Sequence, residues 1–409
     1  MQARRSSRGP FAAILLALLL ASLPVRAQSL GDTLKGFLHD DAVATIHLRS
    51  YFLDRTNPKP PNNAAWAGGG WIGYESGWLD NALQVGALQV GAVGYTSQPL
   101  WAPPSTDGTL LLKTGQYGFF VLGQAYASLK VKEQVFTGYR QIVDELEVNP
   151  YDDRMVPNTF EAYALRGTLA NVDYFAGYVA AIKPRDYSTF INMAERAGAS
   201  NASAGMGLAS LKYGSTDTLR LRGGAYYVPD ILTSSYGDVV WMVPLSGPVQ
   251  FQLNANVMVQ GSNGQNLLTG TSFSTWSGGV RTNMAWGPGT VWTAYTQTGS
   301  AAFWRNPYGV WLGFTKQITK DFDRGNEKAV QIGAGLDFAG LALPGLTFLA
   351  SGTFGSGALD PATGAYLPQN TEYDFDLIYQ VAGKSAPDWL KPLQLRARAA
   401  YIETNTPAA

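Results

Sequence analysis

The segment 249–259 alternates, residue by residue, between apolar and polar side chains. Its odd-numbered positions are all apolar, and four of its five even-numbered positions carry uncharged amides. Successive side chains of a β-strand point to opposite faces, so this period of two predicts a strand with two unlike faces. Because the pattern returns from residue 43 to residue 402, it favours an all-β fold: a transmembrane antiparallel β-barrel, apolar towards lipid and polar towards a lumen.

The first residues have the organisation of a secretory signal peptide. Three arginines precede the apolar run 11–23, and cleavage is predicted after Ala27. The run is shorter than the roughly 20 residues of a membrane-spanning helix, and the sequence has no other long apolar run. Only helices and closed barrels span lipid. We therefore assign 1–27 to the signal peptide, 28–41 to a periplasmic lead-in and 42–409 to one barrel.

The composition argues against several classes of partner and site. Basic and acidic residues number 30 each, which gives no bulk electrostatic case for binding nucleic acid. The sequence has no cysteine, so disulfide bonds and thiolate metal sites are excluded. We expect no cofactor and no metal, and we expect the protein in the outer membrane of a bacterial cell, surrounded by its lipid.

Alternation and turn residues together predict about eighteen strands. They are expected near 43–53, 66–76, 82–93, 119–132, 134–142, 159–169, 171–182, 204–213, 218–228, 236–245, 248–260, 273–287, 289–298, 308–319, 328–338, 346–355, 371–381 and 392–402. The predicted connections are either short turns, such as 170–171, or long loops. The long loops are expected near 96–117, 143–158, 184–203, 261–272, 299–307 and 356–370. Short turns alternating with long loops are typical of outer-membrane barrels.

The segment 134–165 resembles the third-loop region of the OprD-type family of outer-membrane porins. In that family a strand leads into a loop with an Asn-Pro pair, an acidic pair, an Arg-Met/Leu-hydrophobic-Pro run and then Thr-Phe. This sequence has Asn149-Pro150, Asp152-Asp153, Arg154-Met155-Val156-Pro157 and Thr159-Phe160. The segments GFLHDD, GYVAAIKPRDYSTFINMAERAG and LQLRARAAY agree with the family as well. The resemblance therefore covers most of the mature chain.

The resemblance implies an eighteen-stranded barrel built as a monomer, with a lumen narrowed by an inward-folded third loop and by further loops. It also implies a ladder of basic residues that guides small carboxylate-bearing solutes. Members of the family usually end on a strand whose last residue is aromatic or apolar, whereas this sequence ends on the segment 404–409, TNTPAA. Since an odd strand number would leave an open edge in lipid, we expect that a closing strand is missing and that one predicted strand is spurious.

Basic residues at polar positions of the strands are the candidates for this ladder. An arginine facing lipid at the bilayer midplane costs about 2–4 kcal/mol, so these side chains should face water or protein. Guanidinium groups bind carboxylates strongly, and weak repeated sites let a solute move on. The expected ladder residues are Arg49, Lys130, Lys132, Arg140, Arg220, Arg222, Arg281, Arg396 and Arg398. The pattern does not decide on which face of its strand Arg166 lies.

The alternative is that each basic residue pairs with an acid for structural reasons alone. Three expected lumen acids, Glu372, Asp374 and Asp376, lie on the strand that precedes Arg396 and Arg398. Neutralisation of these two arginines is therefore expected whether or not they also bind a solute.

The expected constriction loop carries a second set of candidates. They are Tyr151, Asp152, Asp153, Arg154, Met155 and Pro157. Asn-Pro and Asp-Asp pairs are also ordinary turn residues, so a solvated turn is the alternative when the segment is considered alone. With the family resemblance we expect the loop to narrow the pore, because charged constrictions set selectivity.

The residue inventory argues against an enzyme. The mature chain has only His39 and His47 as histidines, and none of the common hydrolase or phosphate-binding motifs. An outer-membrane protease or lipase that uses His47 with Asp152 or Asp153 would need a third partner, which the sequence does not nominate.

We therefore expect a passive porin that is selective for small anionic or zwitterionic solutes: amino acids, aromatic acids or other organic acids. The alternatives are a general non-selective pore that passes cations or neutral solutes, a barrel enzyme, and a structural barrel with a plugged lumen. The sequence leaves the oligomeric state open between a monomer and a loose homo-oligomer.

Overall fold

The computed structural model describes residues 33–82, 84–381 and 386–405; the predicted signal peptide 1–27 lies outside the described residues. Within them the chain forms nineteen β-strands and only short helical segments. The strands are β1 (Val43–Arg55), β2 (Asn63–Glu75), β3 (Leu79–Ala82), β4 (Gly86–Trp101), β5 (Phe119–Val131), β6 (Gln134–Gln141), β7 (Thr159–Leu169), β8 (Val172–Lys183), β9 (Ile191–Asn192), β10 (Met206–Gly214), β11 (Leu219–Val228), β12 (Leu232–Val243), β13 (Val249–Gly261), β14 (Ser274–Trp286), β15 (Gly289–Thr298), β16 (Lys328–Asp337), β17 (Leu346–Ser356), β18 (Gln369–Gln380) and β19 (Gln394–Asn405). The helical segments are Gly36–Asp40, Pro104–Thr106, α1 (Met193–Ala197) and Phe338–Leu341. None of the described helices is long and apolar enough to cross a membrane.

The chain divides into two compact units. The first comprises the chain up to Val143, Pro150–Thr168 and Ala176–Ile191, and the second comprises Asp144–Asn149, Leu169–Phe175 and Asn192–Ala409. In the first unit the antiparallel pairs are β1–β2, β2–β4, β3–β4, β4–β5, β5–β6 and β6–β7. In the second unit each strand from β10 to β19 pairs antiparallel with the next.

The long strands bury their polar face and expose their apolar face. In β13, Val257 and Val259 are 54% and 51% exposed, whereas Asn254, Asn256 and Gln260 are buried. This confirms the predicted period of two. In water-soluble proteins the apolar face of a strand is buried and the polar face is exposed. Here the amide face is buried and the aliphatic face is exposed, as a strand in contact with lipid requires.

Seventeen of the predicted strands are confirmed, although β4 runs to Trp101, into the loop predicted at 96–117, and the strand predicted at 308–319 is wrong. That segment lies in a long loop, residues 299–327, rather than between strands. Its apolar residues Tyr308 and Trp311 are nearly fully buried, although they belong to no strand. The apolar pattern there reflects burial of a loop against protein, which periodicity alone cannot distinguish from a strand. The short strands β3 and β9 were not predicted.

The two-residue turn at 170–171 is confirmed. Both Ala170 and Asn171 have positive φ angles, 49° and 66°, as a tight hairpin turn of this type requires. The turn between β5 and β6 is equally short and contains Lys132 at a φ of 53°. Lys132 was expected on the polar face of a strand; it lies on this exposed turn instead.

Candidate functional site

Residues 150–158, the part of the predicted constriction loop in the first unit, carry a cluster of charged side chains. Arg49 on β1 donates two hydrogen bonds to the Asp152 carboxylate, at 2.7 Å and 3.2 Å. The carboxylate of Asp153 accepts from Arg154 at 2.8 Å and also from Arg185. Three guanidinium groups against two carboxylates leave one net positive charge in this cluster.

Buried residues fix this segment to the strands of the first unit. Met155 and Val156 are fully buried in a cluster with Tyr95, Leu111 and Phe119, among others. The Arg154 side chain donates from Nε to the carbonyl oxygen of Thr109 at 3.0 Å. Of the expected constriction residues, Asp152 is exposed and Tyr151 and Asp153 are half-buried, whereas Met155 and Pro157 are buried and serve as anchors.

Sequence reasoning missed Arg185 as a member of this cluster. It follows β8, so no strand alternation could assign it to a face. Its guanidinium carbon lies 4.0 Å from the centroid of the Tyr151 ring, and its backbone N–H donates to Asn158 at 2.9 Å. The only available signal was its place in the KPRDY segment of the family resemblance.

His47 belongs to an aromatic stack beside the same cluster. Its ring stacks on Trp71 at 3.8 Å with an interplanar angle of 6°, and the rings of Trp71 and Tyr95 meet in a T-shaped contact at 5.8 Å. The Arg49 guanidinium also lies 5.5 Å from the Trp71 ring centroid. The carboxylate of Asp152 accepts from Arg49, so it is not the partner of His47 that the alternative of a barrel protease or lipase would use.

Residues 144–149 of the same loop lie in the second unit, where two of their buried side chains accept hydrogen bonds. Glu147 accepts from the Ser234 hydroxyl at 2.7 Å, and Asn149 accepts from the backbone N–H of Val310 at 3.0 Å. Burial raises the pKa of Glu147 to about 7, an effect that the hydrogen bond from Ser234 opposes.

Arg220 and Arg222 share one acid on the neighbouring strand. Asp238 accepts from Arg222 Nε at 2.9 Å and lies 3.4 Å from Arg220 Nη2. The Tyr236 hydroxyl donates to the same carboxylate at 2.7 Å. The Asp238 side chain is 4% exposed, whereas those of Arg220 and Arg222 are 20% and 31% exposed. Two guanidinium groups against one carboxylate leave one net positive charge.

Arg396 and Arg398 repeat this arrangement on the last two strands. Asp376 accepts from Arg396 Nε at 2.7 Å and from Arg398 Nε at 3.0 Å. The acid is again the most buried member, since the arginine side chains are 41% and 34% exposed and that of Asp376 is 9% exposed. Here too, two guanidinium groups are hydrogen-bonded to one carboxylate, while the buried Asp374 lies within electrostatic reach of Arg398.

Arg281 has neighbours of a different kind. Its Nε donates to the Asn283 side chain at 2.9 Å, and its guanidinium carbon lies 5.3 Å from the Trp292 ring centroid. Among the described residues no carboxylate lies within ion-pair distance of it. Lys130, near the end of β5, is exposed, and its ammonium group lies 5.8 Å from the Trp78 ring.

The expected position of Arg140 on the polar side is wrong. Arg140 pairs with Glu161 at 3.0 Å, and the two residues are direct cross-strand partners. Glu161 lies on the same face of β7 as Tyr163, which is 50% exposed, whereas Ala162 between them is buried. Arg140 lies an even number of residues after Phe136, which is 44% exposed, whereas Thr137 and Gln141 on the other face of β6 are buried, so regular alternation places Arg140 on the apolar side.

Arg166, whose face the sequence left open, lies on the polar side. It donates to the side chain of Gln141 at 3.1 Å and to the carbonyl oxygen of Ile142 at 3.2 Å. It lines a cavity of about 280 Å³ in the first unit, together with polar side chains that include Gln124, Ser128 and Thr137.

Two of the three expected lumen acids have a structural partner other than arginine. Only Asp376 binds Arg396 and Arg398. Glu372 and Asp374 instead accept hydrogen bonds from backbone N–H groups of residues 318–320. The sequence could not reveal this difference, because the loop that supplies the donors was predicted as a strand.

The loop 299–327 is held by aromatic side chains as well. Trp304 and Trp311 pack in a buried cluster with Tyr236, Met258 and Leu146. This explains the one even position of 249–259 that carries no amide, because Met258 meets the indole rings of the loop. The loop is a functional candidate that the sequence analysis missed.

Asp323 in this loop predicts a pH dependence of stability. Burial, together with the nearby carboxylates of Asp321 and Glu327, raises its pKa from an ordinary value of 3.8 to about 7. Between about pH 4 and pH 7 the folded state holds a proton that the unfolded state releases. Stability is therefore highest below this window and falls as the pH rises through it, by up to about 4 kcal/mol for three pKa units.

Replacing Asp323 with asparagine should flatten this dependence. We expect the thermal midpoint of the purified protein to fall from pH 4.5 to pH 7.5, and to fall less in Asp323→Asn, where Glu147 still titrates. The control is Asp388→Asn, whose carboxylate is 94% exposed. Equal pH slopes for Asp323→Asn and the unchanged protein would contradict the assignment.

Long antiparallel strands with an exposed apolar face and arginines on the buried polar face define an outer-membrane channel of the β-barrel class. A model of the family described as outer membrane porin, OprD family, matches residues 35–408. The chain belongs to this family, and the protein is a porin of the bacterial outer membrane. The expected family resemblance, fold class and location are thereby confirmed.

Solved structures of similar fold include several porins. Pseudomonas aeruginosa OccK9 (OpdG) is 20% identical, with a TM-score of 0.81 over 91% of this chain and 96% of that one. A BenF-like porin from Pseudomonas fluorescens Pf-5 is 19% identical, with a TM-score of 0.79 over 90% and 95%. Pseudomonas aeruginosa OpdK, solved with vanillate, is 21% identical, with a TM-score of 0.76 over 90% and 95%. No curated protein matches the sequence.

Proposed function

We propose that this porin gives passive, selective passage to small carboxylate-bearing solutes, which move along the polar face of its strands. The observation that carries the proposal is the charge balance of the two arginine clusters. In each of them, a single buried aspartate serves two arginines that are more exposed than it is. The side that remains accessible is therefore positive, although the whole chain has no net charge.

The same arrangement favours release as well as binding. A solute carboxylate would share guanidinium N–H donors that Asp238 or Asp376 already partly occupy, so each site binds weakly. Conduction needs sites that a solute can enter and also leave. Arg281 adds one positive position that no described carboxylate neutralises. The structure of OpdK with vanillate, an aromatic carboxylate, supports this substrate class by analogy.

We propose that residues 150–158 form the narrow part of this path. The cluster of Arg49, Asp152, Asp153, Arg154 and Arg185 combines both signs of charge with one net positive charge. A site with both positive and negative groups suits a zwitterionic solute. The carboxylate of the solute would contact the guanidinium groups, and its ammonium group would contact the more exposed Asp152. The partners are therefore small anionic or zwitterionic solutes, and lipid surrounds the apolar face.

The test is the reversal potential of the purified porin in a planar bilayer under a salt gradient. We expect the unchanged protein to prefer anions. In Arg222→Gln/Arg398→Gln the ratio of anion to cation permeability should fall roughly fivefold, which corresponds to about 1 kcal/mol of lost attraction. The control Lys391→Gln removes an exposed charge from the connection between β18 and β19 and should leave the ratio unchanged. Cation preference in the unchanged protein would overturn the proposal.

Uptake into proteoliposomes separates a selective porin from a general one. Benzoate and benzamide have nearly the same size and differ in charge, so their relative rates report selectivity rather than width. We expect benzoate to enter faster, and we expect this advantage to shrink in Arg222→Gln/Arg398→Gln. Equal rates in the unchanged protein would indicate a general pore.

A further inference from the structure

The loop 299–327 lies along the polar face of strands in the second unit, where polar side chains bind its backbone. The Thr275 hydroxyl donates to the carbonyl oxygen of Ala302 at 3.1 Å. Gln260 donates to the carbonyl oxygen of Arg305 at 2.9 Å and accepts from the N–H of the same residue at 3.1 Å. The amides of β13 thus bind a loop backbone and do not simply line a water-filled space.

Further along the loop, the contacts reach the next strands. Asn256 donates to the carbonyl oxygen of Leu312 at 2.8 Å. The hydroxyl oxygens of Thr296 and Thr315 lie 2.5 Å apart, and both residues are almost completely buried. Ser351 on β17 donates to the Gln317 side chain at 3.0 Å. All of these contacts are made by uncharged side chains.

On β18 the contacts change character, because two carboxylates receive three consecutive backbone N–H groups. Ile318 donates to Asp374 at 2.7 Å. Thr319 and Lys320 donate to the two oxygens of Glu372 at 2.8 Å and 2.7 Å. Glu372 is 0% exposed and Asp374 is 8% exposed, so neither carboxylate is well placed to bind a passing solute.

We infer that Glu372 and Asp374 are positioning residues: they clasp residues 318–320 and thereby hold the loop 299–327 against the polar face. The inference rests on the proposed function, in which the polar face borders the solute path. The position of the loop then sets the free cross-section of that path, and the clasp acts on pore width. The arginine clusters select solutes by the sign of their charge, so mutations should change pore width and charge selectivity independently.

The test uses Glu372→Gln/Asp374→Asn, which keeps the side-chain size and replaces both carboxylates with amides. Glu372 accepts from the loop with both of its oxygens, whereas an amide keeps one acceptor oxygen and adds N–H donors, so the hold of β18 on the loop should weaken. We expect single-channel conductance to rise roughly twofold, with added current noise from a moving loop, because conductance follows pore diameter. The control Glu403→Gln removes an exposed charge from β19 and should have neither effect.

A disulfide staple makes the test independent of folding defects. The chain has no cysteine, so in Thr296→Cys/Thr315→Cys only the new pair can form a bond, and the 2.5 Å separation of the native oxygens brings the thiols within reach. Added to the clasp variant, the oxidised staple should restore the conductance and noise of the unchanged protein. Reduction should abolish the rescue.

The outcomes distinguish failure of the clasp from failure of the substrate proposal. Unchanged conductance and noise in a clasp variant that folds would overturn the clasp, as would a failure of the oxidised staple to restore them. A raised conductance that the oxidised staple reverses would support the clasp. Equal uptake of benzoate and benzamide by the unchanged protein would overturn the substrate proposal alone and leave the clasp standing. Complete absence of conductance in the unchanged protein would overturn both.

Discussion

Replacing Val280 with arginine should prevent assembly of a stable protein in lipid. Val280 lies at the centre of β14 and is 48% exposed on the apolar face. A guanidinium group facing lipid near the midplane costs about 2–4 kcal/mol, which is a large part of the net stability of most folded proteins. The measurement is the fraction that folds into vesicles, read from heat-modifiable electrophoretic mobility, together with the urea midpoint of that fraction.

The matched control uses the polar face of the same strand. Asn283→Arg adds the same side chain on the side where Arg281 already lies, and it should fold like the unchanged protein. The exchange Val280→Arg/Arg281→Val keeps composition and charge while inverting the two faces, so it should fail as Val280→Arg does. Equal folding of Val280→Arg and Asn283→Arg would mean that this face does not meet lipid.

The strands could be predicted because strand alternation is a local property. In β18, Phe375 and Leu377 are exposed and Glu372, Asp374 and Asp376 are buried, as an alternating sequence requires when one face meets lipid. The same reading gave the correct face for Arg220, Arg222, Arg396 and Arg398, all of which contact acids on the polar side. Local pattern and lipid surroundings together determine these positions.

The errors have two different causes. Arg140 lies on the same face of β6 as the exposed Phe136, as regular alternation requires, so its assignment to the polar side misread the local pattern. The segment 308–319 contains buried aromatic side chains like those of a strand, but its hydrogen-bond partners lie on the side chains of other strands. These distant contacts have no signature within a short window of sequence.

Within the candidate site, the residue types were predictable and the pairings were not. Arg49 and Asp152 were both nominated, yet they lie 103 residues apart in the chain, and only the fold brings them together. Asp376 and Asp374 occupy equivalent positions of one strand. The register places Asp376 opposite Arg398 and Asp374 opposite Ala400, so one carboxylate meets arginines and the other is free to bind the loop.

Asp238→Asn should destabilise the protein and at the same time strengthen its preference for anions. The change leaves Arg220 and Arg222 without their carboxylate and the Tyr236 hydroxyl without a charged acceptor. Removing one member of a buried ion pair costs 3–5 kcal/mol, and the partial exposure of Arg222 favours the lower end, about 3 kcal/mol. The thermal midpoint in detergent should therefore fall, while the reversal potential moves further towards anion selectivity.

The opposite signs of these two effects give the variant its diagnostic value. A purely structural cluster predicts the loss of stability and no change in selectivity, whereas a cluster that also borders the solute path predicts both. The control Asp217→Asn removes an exposed negative charge from the turn between β10 and β11, so it corrects for net charge. Selectivity that moves as far in Asp217→Asn as in Asp238→Asn would show that bulk charge is responsible. A change of selectivity in Asp238→Asn but not in Asp217→Asn would assign the selectivity to the arginines themselves. Its direction should be opposite to that of the change in Arg222→Gln/Arg398→Gln.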